Sequence, residues 1–191
     1  MAIFDVPLSE LRERGSIKWR RFEPDVLPLF VAEMDARLAP AVRDRLEEAL
    51  RLGDTGYPEL PTYQEAMADY ARWQWGWELD PSDATLATDV VTGMRDALEA
   101  VSEPGDGVVI NPPIYPPFRG VAHDRRIVEV PMRDGRLDLN ALEIAFHRDR
   151  PAAYLLCSPH NPVGTVHTRE ELERIAELAD RHDVAVISDE I

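Results

Sequence analysis

Apolar and polar positions follow one rhythm up to about residue 84 and another beyond it. Upstream the spacing is helical. Val42, Leu46, Ala49 and Leu50 form an apolar stripe between Pro40 and Gly53, which predicts a helix from about residue 40 to 52. Tyr63, Ala66, Met67, Tyr70 and Ala71 predict another from about 61 to 75. Trp73, Trp75 and Trp77 cluster at its end and are read as packing aromatics. Residues 7 to 14 predict a short helix stopped by Gly15, and residues 26 to 32 an extended segment that Pro28 confines to an edge or an arm.

Downstream, short apolar runs alternate with amphipathic stretches. Strands are predicted over 85–91, 107–111, 126–131, 152–157 and 184–188, and helices over 94–102, 116–124, 137–148 and 168–182. Thr168 and Glu171 make a capping box ahead of the stripe Leu172, Ile175, Ala176 and Ala179. Strands this apolar, separated by helices, predict an α/β fold with a mainly parallel sheet and helices on both faces. The expected organisation is an N-terminal arm and helix over residues 1–55, part of a small domain, followed by a sheet-bearing large domain over 56–191. The last predicted strand runs almost to Ile191, so a further segment or a second chain is expected to complete the sheet.

Composition narrows the function classes. Acidic residues outnumber basic ones 36 to 21 among 191 residues, for a net charge of -15, which argues against a nucleic-acid partner. The single cysteine, Cys157, permits no intrachain disulfide and ends an apolar run, as a small buried residue does. No stretch has the length and apolarity of a membrane span, and residues 1–5 lack the start of a signal peptide, so a cytoplasmic location is expected. His160, His167 and His182 lack a metal-ligand spacing on one element. Of the 21 basic residues only Lys18 is a lysine; the rest are arginines.

Four strand-end loops carry the candidate chemistry. Val91–Ala97 turns from a predicted strand into a helix, where free backbone amides suit a phosphate; an ordinary strand–helix turn explains it as well. In Asn111–Phe118, four prolines hold Tyr115 on a rigid loop, either for stacking on a planar ligand or for packing. Asn161 lies between Pro159 and Pro162 beyond the run Tyr154–Cys157. Its amide offers a donor and an acceptor, although an Asn-Pro turn needs no further reason. Asp189 closes the run Val184–Ile187, where a carboxylate calls for solvent or a cationic partner. Together the loops describe a site for a planar, phosphate-bearing, protonated heteroaromatic ring, the demands of pyridoxal phosphate.

Asn161-Pro162-x-Gly164 with Asp189 at a later strand end resembles the fold-type I pyridoxal-phosphate enzymes of the class I/II aminotransferase superfamily. Arg14–Trp19, Leu27–Asp35 and Ser188–Ile191 are similar to the cystathionine β-lyase and cysteine-S-conjugate β-lyase branch, with this chain as its N-terminal half. The resemblance implies that Asn161 bonds the cofactor's ring hydroxyl oxygen, Asp189 pairs with the pyridine nitrogen and Tyr115 stacks on the ring. It implies that the amides of Met94 and Arg95 hold the phosphate. Tyr57 would reach the cofactor phosphate of a neighbouring subunit in a homodimer. The implied activity is C–S β-elimination from cystathionine or cysteine S-conjugates; an aminotransferase on the same scaffold is the alternative. Two departures stand out. Glu33-Met34-Asp35-Ala36 replaces the branch's usual Asp-Met-Asp-Phe, which leaves substrate choice open. The Schiff-base lysine also has no counterpart here, since Lys18 does not match its motif, so a non-catalytic chain is a third reading.

Overall fold

A computed structural model describes residues 4–57 and 61–191. Pro58 and Glu59 of the loop after Gly53 lie outside the described residues, as do Met1–Ile3. The chain divides into two compact units, Met1–Tyr63 and Gln64–Ile191.

The first unit contains α1 (Leu8–Leu11), α2 (Ile17–Arg20) and α3 (Pro40–Leu52). The helix predicted over 7–14 shrinks to α1, and α2 follows Gly15 where no helix was expected. Among the described residues, 26–32 pair with no strand; they run irregularly, with Val31 left-handed at φ 56°. In α3, Pro40 fills the first turn, where its missing N–H costs nothing, and Gly53 takes the left-handed cap at φ 68°. None of the α3 residues is buried, so its apolar stripe faces outward.

Polar straps hold this unit together. The Lys18 ammonium donates to the Glu33 carbonyl at 2.9 Å and to Asp35 at 2.8 Å. The Trp19 indole N–H reaches the other Asp35 oxygen at 3.1 Å. Arg14 donates to the carbonyls of Ala36 at 2.9 Å and Met34 at 3.3 Å. The segments 14–19 and 27–35, similar to one enzyme branch in sequence, thus meet through hydrogen bonds at the 33–36 turn.

α4 (Pro61–Trp75) straddles the division and buries Ala68 and Ala71. The tryptophans after it are not core residues. Trp73, Trp75 and Trp77 are exposed, and the first two pack their rings on Tyr70. Trp73 lies off the Ala68–Ala71 face that α4 turns inward; Trp75 shares that face but is the last residue of the helix, and Trp77 lies beyond it.

The second unit is built on a sheet of β1 (Gly107–Ile110), β2 (Arg126–Glu129), β3 (Ala153–Cys157) and β4 (Ala185–Asp189), in the order β2-β1-β3-β4, with every pairing parallel. Side chains alternate between two cores, as a strand's two-residue period requires. Val109, Tyr154 and Leu156 pack with α7 (Leu139–Asp149) and α8 (Arg169–His182). Val108, Ile110, Leu155 and Cys157 pack with α5 (Val90–Val101) and α6 (Pro117–Val121). α8 opens on the Thr168–Glu171 capping box, and its buried stripe is Ile175, Leu178 and Ala179, with Leu172 and Ala176 outside it.

The strand expected over 85–91 is absent from the described sheet. Asp89 accepts the Thr92 amide at 2.8 Å and the Thr92 hydroxyl at 3.0 Å, so the chain turns helical at Val90. Residues 85–88 are left without a ladder, and a strand without a partner gains nothing from its extended backbone. Ala87 instead lies against α5, where a Cβ on Gly93 would come within 3.2 Å of the Ala87 Cβ. No described helix is long and apolar enough to cross a membrane.

Candidate active site at the carboxyl edge of the sheet

Parallel strands deliver their loops to one edge, and in open α/β sheets ligands bind beyond the strands' carboxyl ends. Here that edge receives Asn111 from β1, Ser158–Thr165 from β3 and Asp189 from β4. α5 leads into β1 at the opposite edge, so its N-terminal turn lies at this one.

Two of the candidate loops are bonded directly. The Tyr115 backbone amide donates to the Asn161 carbonyl at 2.9 Å. The Tyr115 ring is partly exposed, and so is the Asn161 side chain, which leaves both groups free to meet a ligand. Behind them, the Asn161 backbone N–H donates to the Cys157 sulfur at 3.3 Å.

Asp189 is the register partner of Cys157, and its carbonyl accepts the Ser158 amide at 2.9 Å. Ala185 and Ile187 pack on the α5–α6 core, so the strand period turns Asp189 to that same face. The residue is 7% exposed, and among the described residues its carboxylate accepts a hydrogen bond from the Ile191 amide at 3.1 Å. A carboxylate this buried, with a single neutral donor, is short of a cationic partner. A protonated ring nitrogen would supply one. Cys157 is also buried, which pushes its thiol pKa up; the Asn161 amide opposes the shift and the nearby Asp189 charge adds to it.

The amides expected to cradle the phosphate lie inside a helix. α5 begins at Val90, so the amides of Met94 and Arg95 fall beyond the first turn, where helical N–H groups bond back to carbonyls. Met94 is buried in the α5–α6 core and Arg95 is exposed. The turn whose amides lack intrahelical partners is Val90–Thr92; the Asp89 carboxylate accepts the Thr92 amide, and Gly93 makes the first intrahelical bond, to the Asp89 carbonyl at 2.9 Å. Tyr57 belongs to the first unit and is fully exposed, so it is not among the residues that the second unit gathers.

A buried polar network beneath the loops escaped the sequence reading. The Tyr154 hydroxyl donates to Asn111 Oδ1 at 2.7 Å, and Asn111 Nδ2 donates to the Val130 carbonyl at 2.9 Å. His160 Nε2 lies 3.0 Å from the Asn111 carbonyl oxygen. Burial pushes the Tyr154 phenol pKa up, so it stays a donor. Burial, with His167 adding, pulls the His160 pKa down. The available signal was a polar residue at the end of each apolar strand, Asn111 and His160, next to proline.

A shallow depression of about 930 Å³ lies at the opposite edge, lined by residues including Arg150, Arg181, His182 and Asp183. It contains neither the buried, under-paired carboxylate nor the rigid aromatic loop.

Comparison with known proteins agrees with this architecture. The family model for aminotransferase class I and II matches residues 25–191. A protein of Mycobacterium leprae, whose name assigns it provisionally to the cystathionine beta-lyases, is 50% identical over 96% of this chain and 48% of its own length. Cystathionine beta-lyase PatB of Bacillus subtilis is 36% identical over 92% of this chain and 49% of its own length. The structure of cystalysin from Treponema denticola, which contains a pyridoxal 5'-phosphate cofactor, superposes with a TM-score of 0.84 at 30% identity, covering 94% of this chain and 50% of that one. The chain thus spans about half the length of the relatives it matches. With its family model running from residue 25 to the last residue, and its parallel sheet carrying Asn161 and Asp189 at one edge, the chain belongs to the aminotransferase class I and II family.

Proposed function

We propose that this chain supplies half of the active site of a pyridoxal-phosphate-dependent C–S β-lyase acting on cystathionine or cysteine S-conjugates. The observation that carries the reading is Asp189, a buried carboxylate short of a cation, at the edge where Tyr115 and Asn161 are bonded together. Cystathionine beta-lyase is the name several relatives bear, which favours the lyase over an aminotransferase.

Each group has one task. The Asp189 carboxylate holds a proton on the pyridine nitrogen. The Asn161 amide orients the ring hydroxyl oxygen. The Tyr115 ring covers one face and keeps water from it. The phosphate belongs at the first turn of α5, just ahead of Met94 and Arg95, where it would have to replace the Asp89 carboxylate. When bound, pyridoxal phosphate supplies an electron sink for the pair left on the substrate α-carbon. The net reaction takes cystathionine and water to homocysteine, pyruvate and ammonia.

The same reading makes the protein a cytoplasmic homodimer in which Tyr57 contacts the phosphate in the neighbouring subunit; its full exposure leaves it available. One observation favours a second reading for the 191 residues by themselves. The sole lysine, Lys18, is tied to Asp35 and the Glu33 carbonyl, so no lysine of the second unit can hold the cofactor covalently.

The test is to supply the protein, extended to the full length of its relatives, with pyridoxal phosphate and cystathionine. Pyruvate and free thiol in equal amounts are expected. Transfer of the amino group to a 2-oxo acid without thiol release would establish the aminotransferase instead.

A further inference from the structure

We infer that His160 is a positioning residue for the cofactor site, tying the end of β1 to the Asn161 loop so that Tyr115 and Asn161 keep a fixed relation. The inference rests on the reading that these two residues hold pyridoxal phosphate. The imidazole touches no reacting atom. It closes a ring made of chain and hydrogen bonds. From Asn111 the chain runs to Tyr115, whose amide donates to the Asn161 carbonyl at 2.9 Å. Asn161 follows His160 directly, and the His160 imidazole returns to the Asn111 carbonyl at 3.0 Å.

Each side of that ring is anchored. Asn111 is 2% exposed, and its amide is used at both ends, by the Tyr154 hydroxyl and the Val130 carbonyl. Around His160 the turn is closed twice: the His160 amide donates to the Thr165 carbonyl at 2.8 Å and its carbonyl accepts the Gly164 amide at 2.6 Å. Gly164 sits at φ 77°, a left-handed position that glycine adopts without steric cost. Without the imidazole bond, the two loops would be joined directly by the Tyr115–Asn161 bond, at the solvent side.

The chemistry of the ring supports a specific role over space-filling. A carbonyl can only accept, so Nε2 carries the proton and Nδ1 is a bare acceptor. His160 is 1% exposed, and among the described residues its Nδ1 has no hydrogen-bond partner. Burying an unpaired acceptor is unfavourable, and an apolar side chain of this volume would avoid it. What the apolar side chain cannot do is donate to the Asn111 carbonyl. Glutamine can, through an amide nitrogen at similar reach.

The experiment compares His160→Gln, His160→Phe and His160→Met in the full chain, reading two quantities. One is hydrogen exchange at the Tyr115 amide, with the Leu178 amide in α8 as a control for folding. The other is the dissociation constant for pyridoxal phosphate, followed by its absorbance band. In His160→Phe and His160→Met, Tyr115 exchange and the dissociation constant should each rise about tenfold or more, with Leu178 protection unchanged. His160→Gln should keep both within about threefold of the parent. Parent-like exchange at Tyr115 in either folded donor-less variant overturns the inference, as does a folded His160→Gln that fails to rescue. If one donor-less variant does not fold, the other decides. If the parent itself takes up no pyridoxal phosphate, the cofactor reading fails, and Tyr115 exchange alone still decides the role of His160.

Discussion

Cys157 and Asp189 are register partners, the last residues of neighbouring parallel strands. That pairing sets a thiol beside a buried carboxylate, and neither position can shift without breaking the ladder. Removing the charge while keeping the shape therefore has a defined result. Asp189→Asn should cut lyase activity of the full-length protein at least about a hundredfold, because nothing then holds the ring proton. Its unfolding midpoint should stay level or rise, since the variant relieves a buried, under-paired charge. A fall in midpoint matching the loss of activity would reject this.

The thiol reports on the same pair from the other side. Burial keeps Cys157 protonated above the ordinary thiol range, and Asp189 reinforces that against the pull of the Asn161 amide. Since the thiolate is the reactive form, alkylation by iodoacetamide at pH 8 should run about tenfold or more below an unhindered cysteine. Asp189→Asn should speed it. A mass-spectrometric time course of the singly alkylated protein is the measurement.

Lys18 gives a third test. Its ammonium is held by Asp35 and the Glu33 carbonyl, so it is not available as a nucleophile. The 191-residue chain, mixed with pyridoxal phosphate and treated with borohydride, should show no adduct at Lys18 by peptide mapping. An adduct there would remove the non-catalytic reading of this half.

The Lys18–Asp35 pair also fixes a pH dependence. The Lys18 hydrogen bond, aided by the Trp19 indole and opposed by burial, holds the Asp35 carboxyl below its ordinary range. A carboxylate lowered in the folded state contributes stability above its unfolded pKa and loses it as pH falls through the folded one. The Trp19 indole N–H resonance should hold steady down to about pH 4 and move or broaden below that. Asp35→Asn should abolish the transition; an unchanged acid transition in that variant would show that another group causes it.

The sequence by itself determined those elements whose reasons are local. Pro40 and Gly53 bound α3, and the Thr168–Glu171 box starts α8, because caps and left-handed glycines act within a turn. The apolar runs of β1 to β4 announced a parallel sheet packed between helices. Tertiary structure decided what depends on partners. Residues 85–88 read as a strand but have no ladder in the described sheet, so Asp89 turns the chain into α5, whose first turn falls ahead of Met94 and Arg95. The α3 stripe and the tryptophans at 73, 75 and 77 look like core residues in sequence, but lie outside the core because burial depends on which other surface is present. The bonds joining Tyr115 to Asn161, and His160 to Asn111, cross between residues far apart in the chain; no periodicity records them, because only the packing of β1 against β3 brings those loops within reach.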